Sequence, residues 1–217
     1  MSTGVKICGI TNAQDARDAI AAGAEFLGFI FVQSSDRAVD ESGAKAILPE
    51  VRGKAKIVGV FRNSAIEEVN RLASLLNFDF VQLHGNESPE YCSEVNAPVI
   101  KVIEITADAD LDSLRANLGR YSKASYILFD KPKGLDFDQW LDFAVEKVAA
   151  IPSIGEYFFA GGLNHTNVKG VLARISPTFV DVASGVEKAP GVKDVTKMNA
   201  FCNAVKNKKV VPEEAMS

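Results

Sequence analysis

Two residues far apart in the chain have the types that proton transfer needs. Cys8 closes the run Val5-Lys6-Ile7-Cys8, and Asp130 closes Tyr126-Ile127-Leu128-Phe129-Asp130. A thiol and a carboxyl group can act as the paired base and acid of a general acid–base reaction. Side chains two apart in a strand share a side, so Lys6 lies one layer below Cys8, and Tyr126 and Leu128 line up with Asp130. A lysine in that place is expected to favour the thiolate. Gly9, immediately after Cys8, would turn the backbone away and leave the sulfur open to a ligand. Each residue also has a plainer reading: a buried cysteine is commonly inert packing, and an aspartate at a strand end can be a turn former or helix cap. Gln82 and His84 fall on one side of Phe80-Val81-Gln82-Leu83-His84, with His84 at the rim, as site residues or as structural ones.

The second group of candidates would hold an anion. Two apolar runs, 157–160 and 179–183, end in Gly161-Gly162 and Ser184-Gly185. Glycine lets backbone amides approach a ligand without a Cβ in the way, and a loop feeding a helix aims unpaired N–H groups and a positive dipole end at phosphate. Asn164 is the expected N-cap of the helix after the first loop. Ordinary strand-to-helix turns would look the same. Arg37, on a loop after the run 26–32, is either a solvated charge or a guanidinium that holds a carboxylate through two parallel hydrogen bonds. Asp181 stands inside an apolar run and needs a partner or a ligand hydroxyl. Lys6 is a candidate partner if the first and last strands meet. Lys101 poses the same question without an answer.

The elements that must position these groups alternate regularly. Apolar runs of strand length fall at 5–10, 26–32, 57–61, 80–83, 99–105, 126–129, 157–160 and 179–183, with helical spacing at 13–22, 65–76, 111–118, 137–149, 167–175 and 195–205. Residues 88–92 are short for a helix and read as a single turn. Doubly buried strands alternating with helices indicate parallel β/α units. Eight of them predict an α/β fold of the (β/α)8 barrel type, with phosphate held after strands 7 and 8; a doubly wound sheet is the alternative. At 217 residues the chain is somewhat below the ~250 typical of such barrels, and one domain spanning 1–217, with 210–217 as a frayed tail, is expected.

Composition narrows the function. Apolar residues make up 47% and charged residues 24%, as in ordinary globular domains, and no apolar run approaches a membrane span. The first residues, Met1-Ser2-Thr3-Gly4, have no secretory pattern, so a cytoplasmic location without membrane association is expected. A net charge of −4 offers no basic field for nucleic acid. Three cysteines far apart and two histidines suggest neither a disulfide framework nor a metal site.

Taken together, VKICGIT at 5–11, GFIFVQSSDR at 28–37, VGVFRN at 58–63, VQLHGNE at 81–87, ILFD ending at Asp130, AGGLNHTNV at 160–168 and VDVASGVEKAPGVKD at 180–194 resemble the phosphoribosylanthranilate isomerase family, in the family's order and over nearly the whole chain. The resemblance implies a monomeric or homodimeric (β/α)8 enzyme of tryptophan biosynthesis that needs no cofactor and carries out an Amadori rearrangement of a small phosphorylated substrate. It makes Cys8 the general base and Asp130 the general acid, sets Arg37 against the anthranilate carboxylate, and assigns Gly161, Gly162, Ser184 and Gly185 to phosphate. Gln82, His84 and Asp181 complete the expected substrate-binding set. Another sugar-phosphate isomerase barrel, such as the histidine-pathway type, and a barrel that binds a phosphorylated ligand without turning it over are the alternatives. Lys131-Pro132-Lys133-Gly134 replaces the family's glycine-rich run after the acid and is expected to work as a lid.

Overall fold

The computed structural model describes residues 2–151 and 155–207; the tail expected at 210–217 lies outside the described residues. Strands β1 (Gly4–Cys8), β2 (Phe26–Ile30), β3 (Lys56–Phe61), β4 (Phe80–Leu83), β5 (Val99–Glu104), β6 (Tyr126–Asp130), β7 (Tyr157–Phe159) and β8 (Phe179–Val182) pair in sequence order into a closed parallel barrel. Closure joins β8 to β1 with Lys6 opposite Asp181. This excludes the doubly wound sheet. Every strand falls within two residues of its apolar run, because a strand buried on both faces leaves a continuous apolar signature.

Helices follow each strand: α1 (Ala13–Ala22), α2 (Glu41–Val51), α3 (Ile66–Leu76), α4 (Pro89–Glu94), α5 (Leu111–Arg120), α6 (Phe137–Ala149), α7 (Val168–Arg174) and α8 (Val195–Lys206). The apolar spacing failed to indicate α2. Pro49 lies in its last turn, yet Ala44, Ile47, Leu48 and Val51 form a buried stripe at helical spacing and Asp40 caps its start by accepting from the Gly43 amide. Packing of that stripe and the cap outweigh the proline. The single turn expected at 88–92 is a six-residue helix, begun by Ser88 as cap and Pro89 in the first position. Among the described residues no helix is long and apolar enough to cross a membrane.

Two apolar cores result. The larger lies between the barrel and the helices, where Trp140 of α6 is fully buried and donates its indole N–H to the Ile105 carbonyl at 3.0 Å. The smaller fills the barrel itself. At its N-terminal end Phe26, Phe80, Tyr126, Phe158 and Phe179 pack ring against ring, with centroids 4.6–5.8 Å apart. Such pairs add ~0.5–1.5 kcal/mol each beyond their buried area. The aromatic floor packs one end of the barrel, and the cavity lies above it at the C-terminal ends of the strands.

Candidate active site

That cavity measures about 380 Å³. Strand parity decides what lines it. Inward positions along β1 are Lys6 and Cys8, along β4 Gln82 followed by His84, along β6 Leu128 and Asp130, and along β8 Asp181 followed by Ala183; Cys8, Gln82, His84, Asp130 and Asp181 all border the cavity. Arg37, Gly161, Gly162 and Ser184 border it too, whereas Gly185 does not. Glu104, the last inward residue of β5 and the register partner of Asp130, joins them without having been singled out in the sequence. The parity rule that picks out Asp130 would have found it. Arg62, beyond the end of β3, is a further unanticipated lining residue.

Cys8 is 6% exposed and rests above the ion pair of Lys6 and Asp181, whose Nζ and Oδ1 are 3.0 Å apart. The space for thiol and ammonium comes from Gly28 in β2: a Cβ there would lie 2.7 Å from Cys8 Sγ and 3.1 Å from Lys6 Nζ. Gly28→Ala is therefore expected to cost about 1–3 kcal/mol by overpacking, read as a lower denaturant midpoint at constant slope. An unchanged midpoint would mean that both groups can move aside freely.

Lys6 acts on Cys8 in the expected direction, toward the thiolate, but does not decide the net shift. Burial pushes the thiol pKa above its ordinary value, Lys6 and Lys193 offset only part of that, and Asp181 adds to it. Burial alone would discharge Lys6, but Asp181 and Cys8 outweigh it and keep the ammonium charged. In Asp181 burial is again the larger effect and raises the carboxyl despite Lys6. Lys101, the other strand lysine, is satisfied away from this cavity: it donates to Glu87 Oε2 at 2.8 Å and the Gly85 carbonyl at 2.7 Å.

Asp130 is held at both oxygens. Oδ1 accepts from the Lys131 amide at 2.7 Å, and Oδ2 lies 3.2 Å from His84 Nε2. Lys131 and Lys133 of the following loop border the cavity, but Lys131 turns its ammonium back to the Leu135 carbonyl at 2.6 Å, closing its own loop. Lys133 borders the cavity and has no partner among the described residues.

The two glycine loops meet. A Cβ on Gly185 would strike the carbonyl of Leu163, so glycine is what allows them to touch. The amides of Gly161, Gly162, Ser184 and Gly185 have no acceptor among the described residues. Their relation to helices differs from expectation. Helix α7 begins only at Val168, with Asn167 in the cap position making no side-chain cap bond; Asn164 instead accepts from the Thr166 amide at 2.8 Å and the Asn167 amide at 3.1 Å. Ser184–Val186 is one 3-10 turn. Open amides, rather than a long helix directly behind each loop, are what these two loops leave unpaired.

Arg37 also departs from expectation. Its guanidinium already makes a two-bond fork inside the chain, Nε to Glu187 Oε1 at 2.8 Å and Nη2 to Glu187 Oε2 at 2.7 Å. Its stem lies over Gly9, whose φ of 76° and missing Cβ make room for it beside the turn that follows Cys8. Glu187 begins a small antiparallel hairpin, β9 (Glu187–Ala189) and β10 (Val192–Lys193), that apolar periodicity could not reveal. Lys193 is buried there and donates to the Cys8 carbonyl at 2.6 Å, the Ala183 carbonyl at 3.1 Å and Glu187 Oε1 at 2.8 Å.

The fold and the cavity define a class first: a (β/α)8-barrel enzyme whose site stands at the C-terminal ends of its strands. The family is narrower. The model of the family N-(5'-phosphoribosyl)anthranilate (PRA) isomerase matches residues 5–204, and the chain belongs to that family. It is 37% identical to the N-(5'-phosphoribosyl)anthranilate isomerase of Rhizobium etli, covering 94% of this chain and 95% of that one. A crystal structure of phosphoribosyl anthranilate isomerase from Thermotoga maritima superimposes with a TM-score of 0.83 at 31% identity, covering 94% of this chain and 98% of the other. A second, of such an isomerase in complex with reduced 1-(o-carboxyphenylamino)-1-deoxyribulose 5-phosphate, gives a TM-score of 0.79 at 32% identity over 94% and 98% of the two chains.

Proposed function

We propose that the protein isomerises N-(5-phosphoribosyl)anthranilate to 1-(2-carboxyphenylamino)-1-deoxyribulose 5-phosphate, the Amadori step of tryptophan biosynthesis. The observation that carries the chemistry is the presence of Cys8, Asp130 and the open amides of both glycine loops on one cavity. The amides of Gly161, Gly162 and Ser184 hold the phosphate, with Gly185 setting the contact between the loops. Lys133 adds long-range attraction. With phosphate fixed between β7 and β8, the ribose reaches across the mouth toward β1 and β6.

Asp130 delivers a proton to the furanose ring oxygen; the C1–O bond breaks and the anilino nitrogen's lone pair forms the iminium. That cation acidifies the proton on C2, which Cys8 as thiolate removes, and the C2–H pair forms the enolamine double bond. The C=N pair returns to the anilino nitrogen, and the enol then becomes the ketone as the C2 hydroxyl loses its proton and C1 takes one up, giving the aminoketose. No net proton or electron is gained. Lys6 beneath Cys8 stabilises the thiolate during this step, and Asp181 keeps Lys6 charged while presenting its second oxygen to the cavity. Gln82 has a buried Oε1 without a partner and is suited to accept from a ribose hydroxyl. His84 holds Asp130 in place. The wall formed by Lys131-Pro132-Lys133-Gly134 covers the acid as a short, self-bonded lid.

Substrate generated in solution from anthranilate and phosphoribosyl pyrophosphate is fluorescent through its anilino group, and adding the protein should make that fluorescence decay. A dephosphorylated product analogue should bind far more weakly than its phosphorylated counterpart. Persistence of the fluorescence would overturn the assigned reaction, and equal affinity for the two analogues would overturn the phosphate site.

A further inference from the structure

Arg37, Glu187 and Lys193 form a closed set of charges at the side of the cavity. Glu187 occupies the Nε–Nη2 edge of Arg37 with two bonds of 2.8 and 2.7 Å and also accepts from Lys193 Nζ at 2.8 Å. Burial would raise the Glu187 carboxyl, but bonds from Arg37 and Lys193 outweigh it and hold the pKa below its ordinary value. Two basic groups share one carboxylate, and burial lowers the Lys193 pKa while Glu187 offsets part of that. The hairpin that carries it is itself fixed: the Lys193 amide donates to Asp15 Oδ2 at 2.8 Å, Thr11 Oγ1 to the Gly191 carbonyl at 2.6 Å, and Lys197 Nζ to the Glu187 carbonyl at 2.7 Å. Among the described residues the remaining edge of Arg37, carrying Nη1, has no partner, and Arg37 borders the cavity. A guanidinium has five N–H donors, so one edge can be clamped while another recognises a ligand.

We infer that Glu187 is a positioning residue: it sets the direction of Arg37 so that the open edge meets the carboxylate of an aromatic acid. Lys193 locks this clamp to the strand end that carries Cys8, through the Cys8 and Ala183 carbonyls. The inference rests on the isomerase reading and adds the origin of its specificity for a carboxylated ring. An arginine left free would spend rotamer freedom on each binding event, whereas here that freedom is lost during folding.

Glu187→Gln tests this with two phosphorylated product analogues, one bearing and one lacking the ring carboxylate. The carboxylated analogue should bind about 3–10-fold more weakly, the other should be nearly unaffected, and KM should rise more than kcat falls. Glu187→Asp keeps a charge against Lys193 and retracts the carboxylate by one methylene, so it provides a folded variant with the same selective loss even where the amide is destabilising. In an Arg37→Met background neither substitution should alter the preference further. Equal weakening of both analogues would make Glu187 merely structural. Tighter binding of the carboxylated one would show that Glu187 competes with ligand, and a preference that still changes in the Arg37→Met background would show an action not through Arg37; each overturns the inference. Should the unaltered protein make no distinction between the analogues, the carboxylate assignment itself falls, and the inference with it.

Discussion

Cys8→Ala is expected to lower kcat by ~10²–10⁴-fold, the usual contribution of a general base, while a product analogue still binds. The sulfur lies above the Lys6–Asp181 pair and makes none of the hydrogen bonds that hold Arg37, so its loss is expected to leave the anion contacts intact. A pH signature accompanies the rate. Only the thiolate is a base, and burial raises the Cys8 pKa despite two nearby lysines. In the free enzyme kcat/KM should therefore climb with pH through an ionisation above the ~8.5 of an ordinary thiol, not below it. The sign follows from the direction of the shift: below the raised pKa the group is neutral and inactive, and activity appears as the proton leaves. Cys8→Ala should abolish this limb. Cys8→Ser preserves volume closely and separates packing from chemistry, since a hydroxyl does not ionise in this range. Near-normal turnover of either variant, with the limb intact, would reduce Cys8 to core packing.

The parts of this site that were legible in the sequence share a property: each could be read within one strand or across one predictable seam. Parity groups Cys8 with Lys6, Gln82 with His84 and Asp130 with Leu128, and barrel closure makes Lys6 a candidate partner for Asp181, as the structure has them. What stayed hidden depends on partners that no local pattern announces. Arg37 and Glu187 are 150 residues apart, and Lys193 is 185 residues from the carbonyl it holds. Arg37 therefore reads as a free charge for a ligand, although the Nε–Nη2 edge of its guanidinium is occupied. The net direction of the Cys8 shift is hidden for a related reason. Spacing reveals Lys6 below the thiol, but the extent of burial, which decides the direction, emerges only in the closed barrel, where Gly28 packs against the sulfur. Helix α2 was missed where Gly43 and Pro49 weaken local propensity and tertiary packing supplies the stability instead.

Asp130→Asn should likewise reduce kcat by ~10²–10⁴-fold, for a different step and with different surroundings preserved. The amide keeps the size of the carboxyl group. Its carbonyl can still accept from the Lys131 amide, so the entry to the 131–135 loop and the self-bond from Lys131 to Leu135 should survive. His84 would face an NH2 group in place of Oδ2, which a neutral imidazole nitrogen can accept. Only the capacity to hand over an acidic proton is lost. Ring opening should then limit turnover, and the pH limb assigned to Cys8 should flatten, because proton removal from C2 no longer controls the rate. Phosphate and carboxylate contacts are untouched, so the affinity of a product analogue should stay within a few-fold of the unaltered protein. Stopped-flow measurement of substrate fluorescence under single-turnover conditions reads the chemical step directly. Turnover close to normal in Asp130→Asn would remove this residue from proton transfer and leave it as the group that orders the loop after β6.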